Sequence, residues 1–279
     1  MALKYGILRS MSDLPAMPHV VNKAQEIISK PNSNMKDLVK VIEVEQSISA
    51  RILRLANSTY YGLSGRVASV QHASVLLGYK TLGEVITVAG ISNIIGKTLD
   101  GYNLDSGDLW RHSMAVAVGS RLIAGKKRPE LSNDAFFAGL MHDAGKLILD
   151  SHVYERREDF ELFMQDGQET FLNAEREILG FDHSEIASEF CQKWNIPDEQ
   201  SLAIKYHHYP SQSEGNDLAY ILHMADFIAM RSGIGTGVDC ELYQLENGTM
   251  EFLGLQEEDI DGIQGEVVES VEDMMSEMH

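Results

Sequence analysis

An apolar segment with a histidine–aspartate pair at its centre constrains this sequence more than any other feature. The segment spans residues 136–150 and reads FFAGLMHDAGKLILD, with His142 next to Asp143 and Lys146 shortly after them. Burying an imidazole and a carboxylate is costly unless both groups find partners. Metal coordination provides such partners, because both groups are good ligands for zinc, iron or manganese. A structural hydrogen-bonded pair is the alternative that the dipeptide alone leaves open.

Further histidines and aspartates recur in similar apolar surroundings on both sides of this pair. Seven of the ten histidines lie between residues 112 and 223. Because helical bundles collect ligands from facing helices, we predict that one series converges on a metal centre. The series comprises His112, His142, Asp143, His183, His207, His208 and Asp226. On a helix, the adjacent His207 and His208 would point about 100° apart, so they could serve two metals, or one metal and one substrate phosphate.

Other polar residues near this series have two possible roles. Asp108 precedes His112 by four residues on the same predicted helical face, so it is a candidate for a further ligand or for a hydrogen-bond partner of a ligand. Lys146 could contact a phosphate, or it could extend along apolar surface to reach solvent. We interpret His152 and His223 as core histidines with satisfied hydrogen bonds.

Apolar residues recur at helical spacing through most of the chain, which predicts an all-α fold. The pattern predicts one helix across residues 136–150 and another from Asp198 to His208. After residue 232 it indicates a turn or a short hairpin from Leu242 to Phe252, around Asn247–Gly248. A final helix is predicted from Glu266 to Met278.

The distribution of charge restricts the possible partners. The net charge is −19, Arg231 is the last arginine or lysine, and thirteen acidic residues follow it. Nucleic acids and anionic membranes need a basic surface, so we expect neither as a partner. We interpret the acidic end of the chain as a solvated extension.

Targeting signals and disulfides are also not expected. No apolar run has the length of a membrane span. The N-terminal residues MALKYGILRSMSDLP do not resemble a signal peptide. Cys191 and Cys240 are the only two thiols and suggest no disulfide framework. We therefore expect a cytoplasmic protein.

Several motifs resemble the HDOD domain, a branch of the HD superfamily of metal-dependent phosphohydrolases with the motif H…HD…D. The resemblance covers roughly residues 7–232. The motifs are LPAMP at 14–18, ILRLANS at 52–58, ASVLLG at 73–78, WNIP at 194–197 and HHYP at 207–210. The resemblance implies an all-α fold in which an N-terminal helical bundle, residues 1–104, packs on an HD-type bundle, residues 105–235. An acidic C-terminal extension, residues 236–279, follows.

The resemblance also implies roles for single residues. His112 corresponds to the first histidine of the motif, His142 and Asp143 to the doublet, and Asp226 to the final aspartate. The related HD-GYP phosphodiesterases, which hydrolyse cyclic di-GMP, bind a second metal through extra histidines, to which His183, His207 and His208 correspond. Lys146 corresponds to their HDxGK lysine, and Asp108 stands where they have a glutamate. The implied cofactors are one or two ions of iron, manganese or zinc, with Asp143 and Lys146 as catalytic residues.

One departure from that pattern separates two possible functions. The HD-GYP signature HHExxDGxGYP is missing, and the chain reads HHYPSQ at residues 207–212. Its absence favours a bacterial signal-transduction module that binds a regulatory protein or a nucleotide. The full set of ligands favours a phosphohydrolase acting on a nucleotide or a cyclic dinucleotide. Fold resemblance alone does not establish activity.

Overall fold

The computed structural model describes residues 17–28, 30, 33–43, 45–63, 65–234 and 242–278. The chain is 75% helical, and within these ranges it contains no strand. One isolated bridge between Leu99 and Leu104 is the only β-type pairing in the same ranges. The all-α prediction is therefore confirmed. The first three residues of the LPAMP motif and Cys240 lie outside the described residues.

The chain divides into two compact units. The N-terminal unit comprises Ala16–Ile94 together with Glu269–His279, and the central unit is built on Ile95–Val268. The three-part division at residues 104 and 235 stays a prediction.

The N-terminal unit consists of short helices followed by one long helix. These are α1 (His19–Ile28), α2 (Met35–Glu43), α3 (Gln46–Ala56) and α4 (Val70–Ile95). Their apolar faces form the core, where Val20, Leu38 and Ile52 are fully buried. The sequence predicts two helices where α4 lies, and Gly78 indeed breaks α4 with φ 75° and ψ 175°. Only glycine adopts that conformation readily.

Helix α4 is the one helix of the described residues that is long and apolar enough to cross a membrane. However, 61% of its apolar window is buried inside the protein. The break at Gly78 also leaves a continuous helix only from Tyr79 to Ile95, which is shorter than the roughly 20 residues of a typical span. We therefore interpret α4 as a core helix.

The remaining helices belong to the central unit, except that the part of the last helix from Glu269 onward belongs to the N-terminal unit. They are α5 (Asp108–Lys127), α6 (Ser132–Met141), α7 (Lys146–Glu155), α8 (Arg157–Met164), α9 (Phe171–Ala174), α10 (His183–Lys193), α11 (Asp198–Lys205), α12 (Asp217–Arg231), α13 (Thr249–Leu253) and α14 (Glu257–Met278). Helix α5 packs against α6 and α12, and α11 packs against α10 and α12. Gly139 allows α6 to pack closely on α5, because a Cβ there would lie 2.7 Å from the Cα of Ala117.

Three sequence-based helix boundaries are wrong. Residues 136–150 form two helices, α6 and α7, separated by a turn over residues 142–145. The helix predicted to reach His208 ends at Lys205. The final helix begins at Glu257 rather than Glu266, since Ile260 and Ile263 are buried and outweigh the low helix propensity of Gly262 and Gly265.

The predicted turn or hairpin around Asn247–Gly248 is a turn only. Gly248 has φ 86° and precedes α13, which occupies the place of the second hairpin strand. Leu253 of α13 is buried, so packing on the helical core favours a helix over a strand pair.

Candidate metal centre

Seven side chains from separate elements of the central unit converge on one place. His112 lies on α5 and Asp226 on α12, His142 follows α6, and Asp143 lies in the turn before α7. His183 is the first residue of α10, and His207 and His208 follow the end of α11. His208 is half-buried, and the other six side chains are buried, at most 5% exposed. The structure therefore brings together all seven residues of the predicted series.

One part of the cluster contains two histidines and both carboxylates. Nε2 of His112 lies 3.0 Å from Oδ1 of Asp226 and 3.8 Å from Oδ2 of Asp143. Nε2 of His142 lies 3.5 Å from Oδ2 of Asp143 and 3.8 Å from Oδ1 of Asp226. One ligand atom from each of His112, His142 and Asp226 lies within 4.8 Å of the others, as is required to share one metal ion.

The second part of the cluster contains three histidines. Nε2 of His183 lies 2.9 Å from Nε2 of His208 and 3.2 Å from Oδ1 of Asp143. Ligand atoms of His183, His207 and His208 also lie within 4.8 Å of one another. His142, Asp143 and His207 form a third such set, which joins the two parts. This geometry could hold two neighbouring metal ions with Asp143 between them.

Four of the five imidazoles have a hydrogen-bond partner on Nδ1. Nδ1 of His112 lies 3.1 Å from the carbonyl of Ile234, and Nδ1 of His183 lies 2.7 Å from Oε2 of Glu175. In His142 and His207, Nδ1 donates to the carbonyl three residues earlier, at 2.7 Å in both cases. An acceptor at Nδ1 assigns the proton to that nitrogen, so in the neutral ring Nε2 is left with a free lone pair. Metal-binding histidines typically have this second contact.

Several of the atoms that face the centre have no hydrogen-bond partner among the described residues. They are Nε2 of His142, Nε2 of His207 and Oδ1 of Asp226. Native proteins rarely leave buried polar atoms without a partner, and ion binding is one standard reason for such atoms. Where Nε2 of His112 faces Oδ1 of Asp226, two acceptors meet unless a cation, a proton or a metal ion, lies between them. The donor set therefore fits a metal centre.

For both carboxylates and for His207, the electrostatics favour the protonation states that bind metal. Burial would raise the pKa of Asp143, but Lys146 and the nearby histidines hold it well below the usual range. Burial would likewise raise the pKa of Asp226, and His112 lowers it instead. Burial lowers the pKa of His207 to about 3, assisted by His142. Ionised carboxylates and neutral imidazoles are the forms that coordinate metals.

His112 and His183 differ from His142, His207 and His208, because neighbouring carboxylates raise the pKa of each of these two rings where burial alone would lower it. Burial alone would lower the pKa of His183, but the carboxylates of Glu175 and Asp143 raise it to about 10. In the metal-free protein the ring is thus an imidazolium held between two carboxylates. A metal ion at Nε2 would replace one of its protons.

The two proposed catalytic residues, Asp143 and Lys146, are in direct contact. The ammonium of Lys146, the first residue of α7, donates to Oδ2 of Asp143 at 2.7 Å and is 21% exposed. Burial would lower the pKa of Lys146, but Asp143 raises it, so the group stays charged. Lys146 therefore lies at the edge of the cluster, neither extended into solvent nor remote from the ligands. The catalytic roles of both residues stay predictions.

Two neighbouring residues support the cluster and are absent from the predicted series. The buried Glu175 accepts a hydrogen bond from Nδ1 of His183. His223 donates from Nδ1 to the carbonyl of His207 at 2.8 Å and accepts at Nε2 from the amide of Glu246 at 2.8 Å. His223 is thus a core histidine with both nitrogens satisfied. A glutamate on an otherwise apolar helical face was the signal available for Glu175, although its spacing from His183 suggests no contact.

Asp108 has a local role at the start of α5. Its carboxylate accepts a hydrogen bond from the amide of Asp105 at 2.9 Å.

A cavity of about 190 Å³ lies beside the cluster. It is lined by His208 and Asp226, together with Thr170, Phe227 and Tyr243. A small molecule could therefore reach the ligands from this side.

Comparison with known sequences identifies one family. The HDOD domain pattern matches residues 14–210. An uncharacterized protein of Treponema pallidum (strain Nichols) is 23% identical over 218 residues. That alignment covers 74% of the chain and 40% of the Treponema protein, so the chain spans less than half of that relative's length.

Solved structures share the fold over nearly the whole chain. An HDOD domain protein of unknown function from Geobacter sulfurreducens has a TM-score of 0.79 at 22% identity, covering 99% of this chain and 95% of its own. A protein named "putative phosphohydrolase" from Shewanella amazonensis SB2B has a TM-score of 0.76 at 22% identity, covering 98% of both chains. These identities show the fold alone. Because the HDOD pattern matches well over half of its residues, the chain belongs to the HDOD family.

Proposed function

We propose that this chain is a bacterial signal-transduction module of the HDOD family whose HD-type site binds two divalent metal ions. It acts by binding a regulatory protein or a nucleotide. The observation that supports the metal site is the set of buried, partnerless ligand atoms on His142, His207 and Asp226. Mixed imidazole and carboxylate donors suit iron, manganese or zinc.

The chain's own residues prepare this site in three ways. Hydrogen bonds at Nδ1 hold the rings of His112, His142 and His207 with Nε2 towards the centre. Asp143 contacts both parts of the cluster and can bridge two ions. Six of the seven side chains are buried, which strengthens their electrostatic interactions with a cation.

Metal analysis tests this proposal. We expect purified protein reconstituted with iron, manganese or zinc to retain about two equivalents after desalting. Asp143→Ala should reduce this number most, because Asp143 contacts ligands on both sides. His72→Ala is the matched control, since this exposed histidine lies in the N-terminal unit. Protein that stays metal-free after reconstitution with all three metals would contradict the proposal.

A second candidate function is phosphohydrolysis, and the position of Lys146 beside Asp143 favours it. Two bound divalent ions supply Lewis-acid activation of water and of a phosphoryl oxygen. Lys146 could hold a non-bridging phosphate oxygen, and the cavity beside His208 could admit the rest of a small substrate. The name of the Shewanella protein is consistent with this chemistry, but at 22% identity the similarity to it supports only a shared fold.

Hydrolysis assays separate the two functions. Nucleotides, a cyclic dinucleotide and chromogenic phosphate esters should be tested with the metal-loaded protein. If it is an enzyme, His142→Ala and Asp143→Ala should abolish hydrolysis, and Lys146→Met should lower it by at least 100-fold, the usual range for a charged group that stabilises the transition state. Activity that survives both alanine changes would exclude this site as the catalyst. No hydrolysis by metal-loaded protein would leave the regulatory module as the function.

A further inference from the structure

Glu175 is a buried carboxylate with an unusually complete set of partners. It is 0% exposed and begins a π-helical turn, Glu175–Leu179, directly after α9. Its Oε2 accepts from the backbone amide of His183 at 2.8 Å and from Nδ1 of His183 at 2.7 Å. Its Oε1 accepts from the hydroxyl of Tyr102 at 2.5 Å. Single π-helical turns inside helices are frequently found at functional sites.

Tyr102 connects Glu175 to Lys146 at the edge of the cluster. It is 6% exposed, and burial together with the charge of Glu175 raises the pKa of its hydroxyl well above the ordinary value, so it remains a donor. The ammonium of Lys146 lies 5.7 Å from the centre of the Tyr102 ring, within the range of a cation–π interaction. Tyr102 thus contacts both Glu175 and Lys146.

The hydrogen-bond partner at Nδ1 of His183 is a side chain, whereas at three other histidines of the cluster it is a backbone carbonyl. Nδ1 of His112, His142 and His207 each contacts a main-chain carbonyl, which no substitution removes. Nδ1 of His183 contacts the carboxylate of Glu175 instead. A carboxylate partner also makes an imidazole a stronger ligand than a carbonyl does, because it stabilises positive charge on the ring.

We propose that Glu175, held in place by Tyr102, is a positioning residue that orients His183. It selectively strengthens the binding of the metal ion held by His183, His207 and His208. This inference rests on the proposed function, because it presupposes that the cluster binds metal. Glu175 itself lies behind His183 and acts through its ring. The ion bound by His112, His142 and Asp226 has no contact with Glu175, so its affinity should be independent of this residue.

The first experiment is a calorimetric titration of the metal-free protein with zinc. Wild type should bind two equivalents. Glu175→Leu, which removes the acceptor, should weaken one equivalent by about 10–100-fold, the usual effect of losing such a partner. Glu175→Gln keeps an oxygen that can accept from Nδ1 but loses the charge, and it should weaken the same equivalent less. Tyr102→Phe should have the smallest effect.

The matched control is Glu177→Gln. Glu177 belongs to the same π-helical turn but is exposed, so zinc binding should be unchanged. The equivalent that does not involve His183 serves as an internal control for folding, because a misfolded variant would lose both ions. Glu175→Gln and Tyr102→Phe keep the shape of the side chain, so they remain informative if Glu175→Leu does not fold.

The second experiment needs no metal. Nitrogen NMR of the histidine rings in the metal-free protein reports the protonation and hydrogen bonding of each ring nitrogen. Glu175→Leu should change the ring signals of His183 and leave those of His142 unchanged, since the partner of His142 is the carbonyl of Gly139.

The outcomes separate the two proposals. Wild-type protein that binds neither zinc nor, in the same titration, iron or manganese would overturn the metal site and this inference with it. Two equivalents in wild type, with unchanged affinities in both Glu175 variants, would overturn only the role of Glu175. An equal loss of both equivalents in folded variants would also overturn it, because a positioning residue for His183 affects one ion.

Discussion

At the scale of single residues, the site depends on where each imidazole holds its proton. Nδ1 of His142 and of His207 donates to a carbonyl three residues earlier, so local backbone alone sets these two rings. His112 and His183 rely on distant partners, Ile234 and Glu175. The contacts of His142 and His207 form within the end of one helix. The contacts of His112 and His183 form only when the chain has folded and brought separate elements together.

His223 illustrates a residue that supports the site without facing it. Burial lowers its pKa, so the ring stays neutral and can donate at Nδ1 while accepting at Nε2. We predict that His223→Leu lowers the free energy of unfolding of the metal-free protein by about 2 kcal/mol or more, because it leaves the carbonyl of His207 and the amide of Glu246 without partners. Denaturant unfolding measures this change.

The matched control for that prediction is His72→Leu. His72 is exposed, and surface substitutions usually change stability by no more than about 0.5 kcal/mol. If both variants unfold at the same denaturant concentration, the two hydrogen bonds of His223 do not contribute to stability.

At the scale of elements, the turn over residues 142–145 creates the site. On a continuous helix the side chains of His142 and Asp143 would diverge by about 100°. In the turn between α6 and α7 both point into the cluster, and Asp143 also reaches His183. The turn is possible because Gly145 lies against the first residue of α10, where a Cβ would collide with the carbonyl oxygen of His183.

This close approach gives a paired prediction for two glycines. Gly145→Ala should lower the free energy of unfolding by about 1–3 kcal/mol, because the backbone of His183 cannot yield as a flexible side chain would. Gly125→Ala on α5 should raise it by about 0.5–1 kcal/mol, since no atom lies within 4 Å of the added Cβ. Thermal or denaturant unfolding compares them, and a stable Gly145→Ala variant would refute the close packing.

At the scale of the whole molecule, metal binding should contribute to stability. A ligand that binds only the folded state stabilises it by about 2.7 kcal/mol when its free concentration is 100 times its Kd. For a unit of this size each kcal/mol raises the Tm by roughly 2–4 °C. We therefore predict that a chelator lowers the Tm of the metal-loaded protein by roughly 5–10 °C. His142→Ala should respond less, and equal responses would place the metal elsewhere.

The family and the helical class could be predicted from the sequence because both depend on local patterns. Apolar residues at helical spacing determine most helices, and short motifs such as ILRLANS at 52–58 are characteristic of HDOD domains. The residue types of the candidate ligands were also visible, since seven His and Asp residues in apolar surroundings need partners. Their ligand roles and the catalytic roles of Asp143 and Lys146 stay predictions.

The remaining features depend on contacts between residues far apart in the chain. The turn after α6 exists because α7 and α10 meet at Gly145, and α14 begins more than two turns before its predicted start because Ile260 and Ile263 are buried. The link between Glu175 and His183 depends on a π-helical turn that no spacing rule indicates. Periodicity in a sequence determines which face of a helix is buried, but helix ends and side-chain partners are decided by packing between helices, which only the tertiary structure contains.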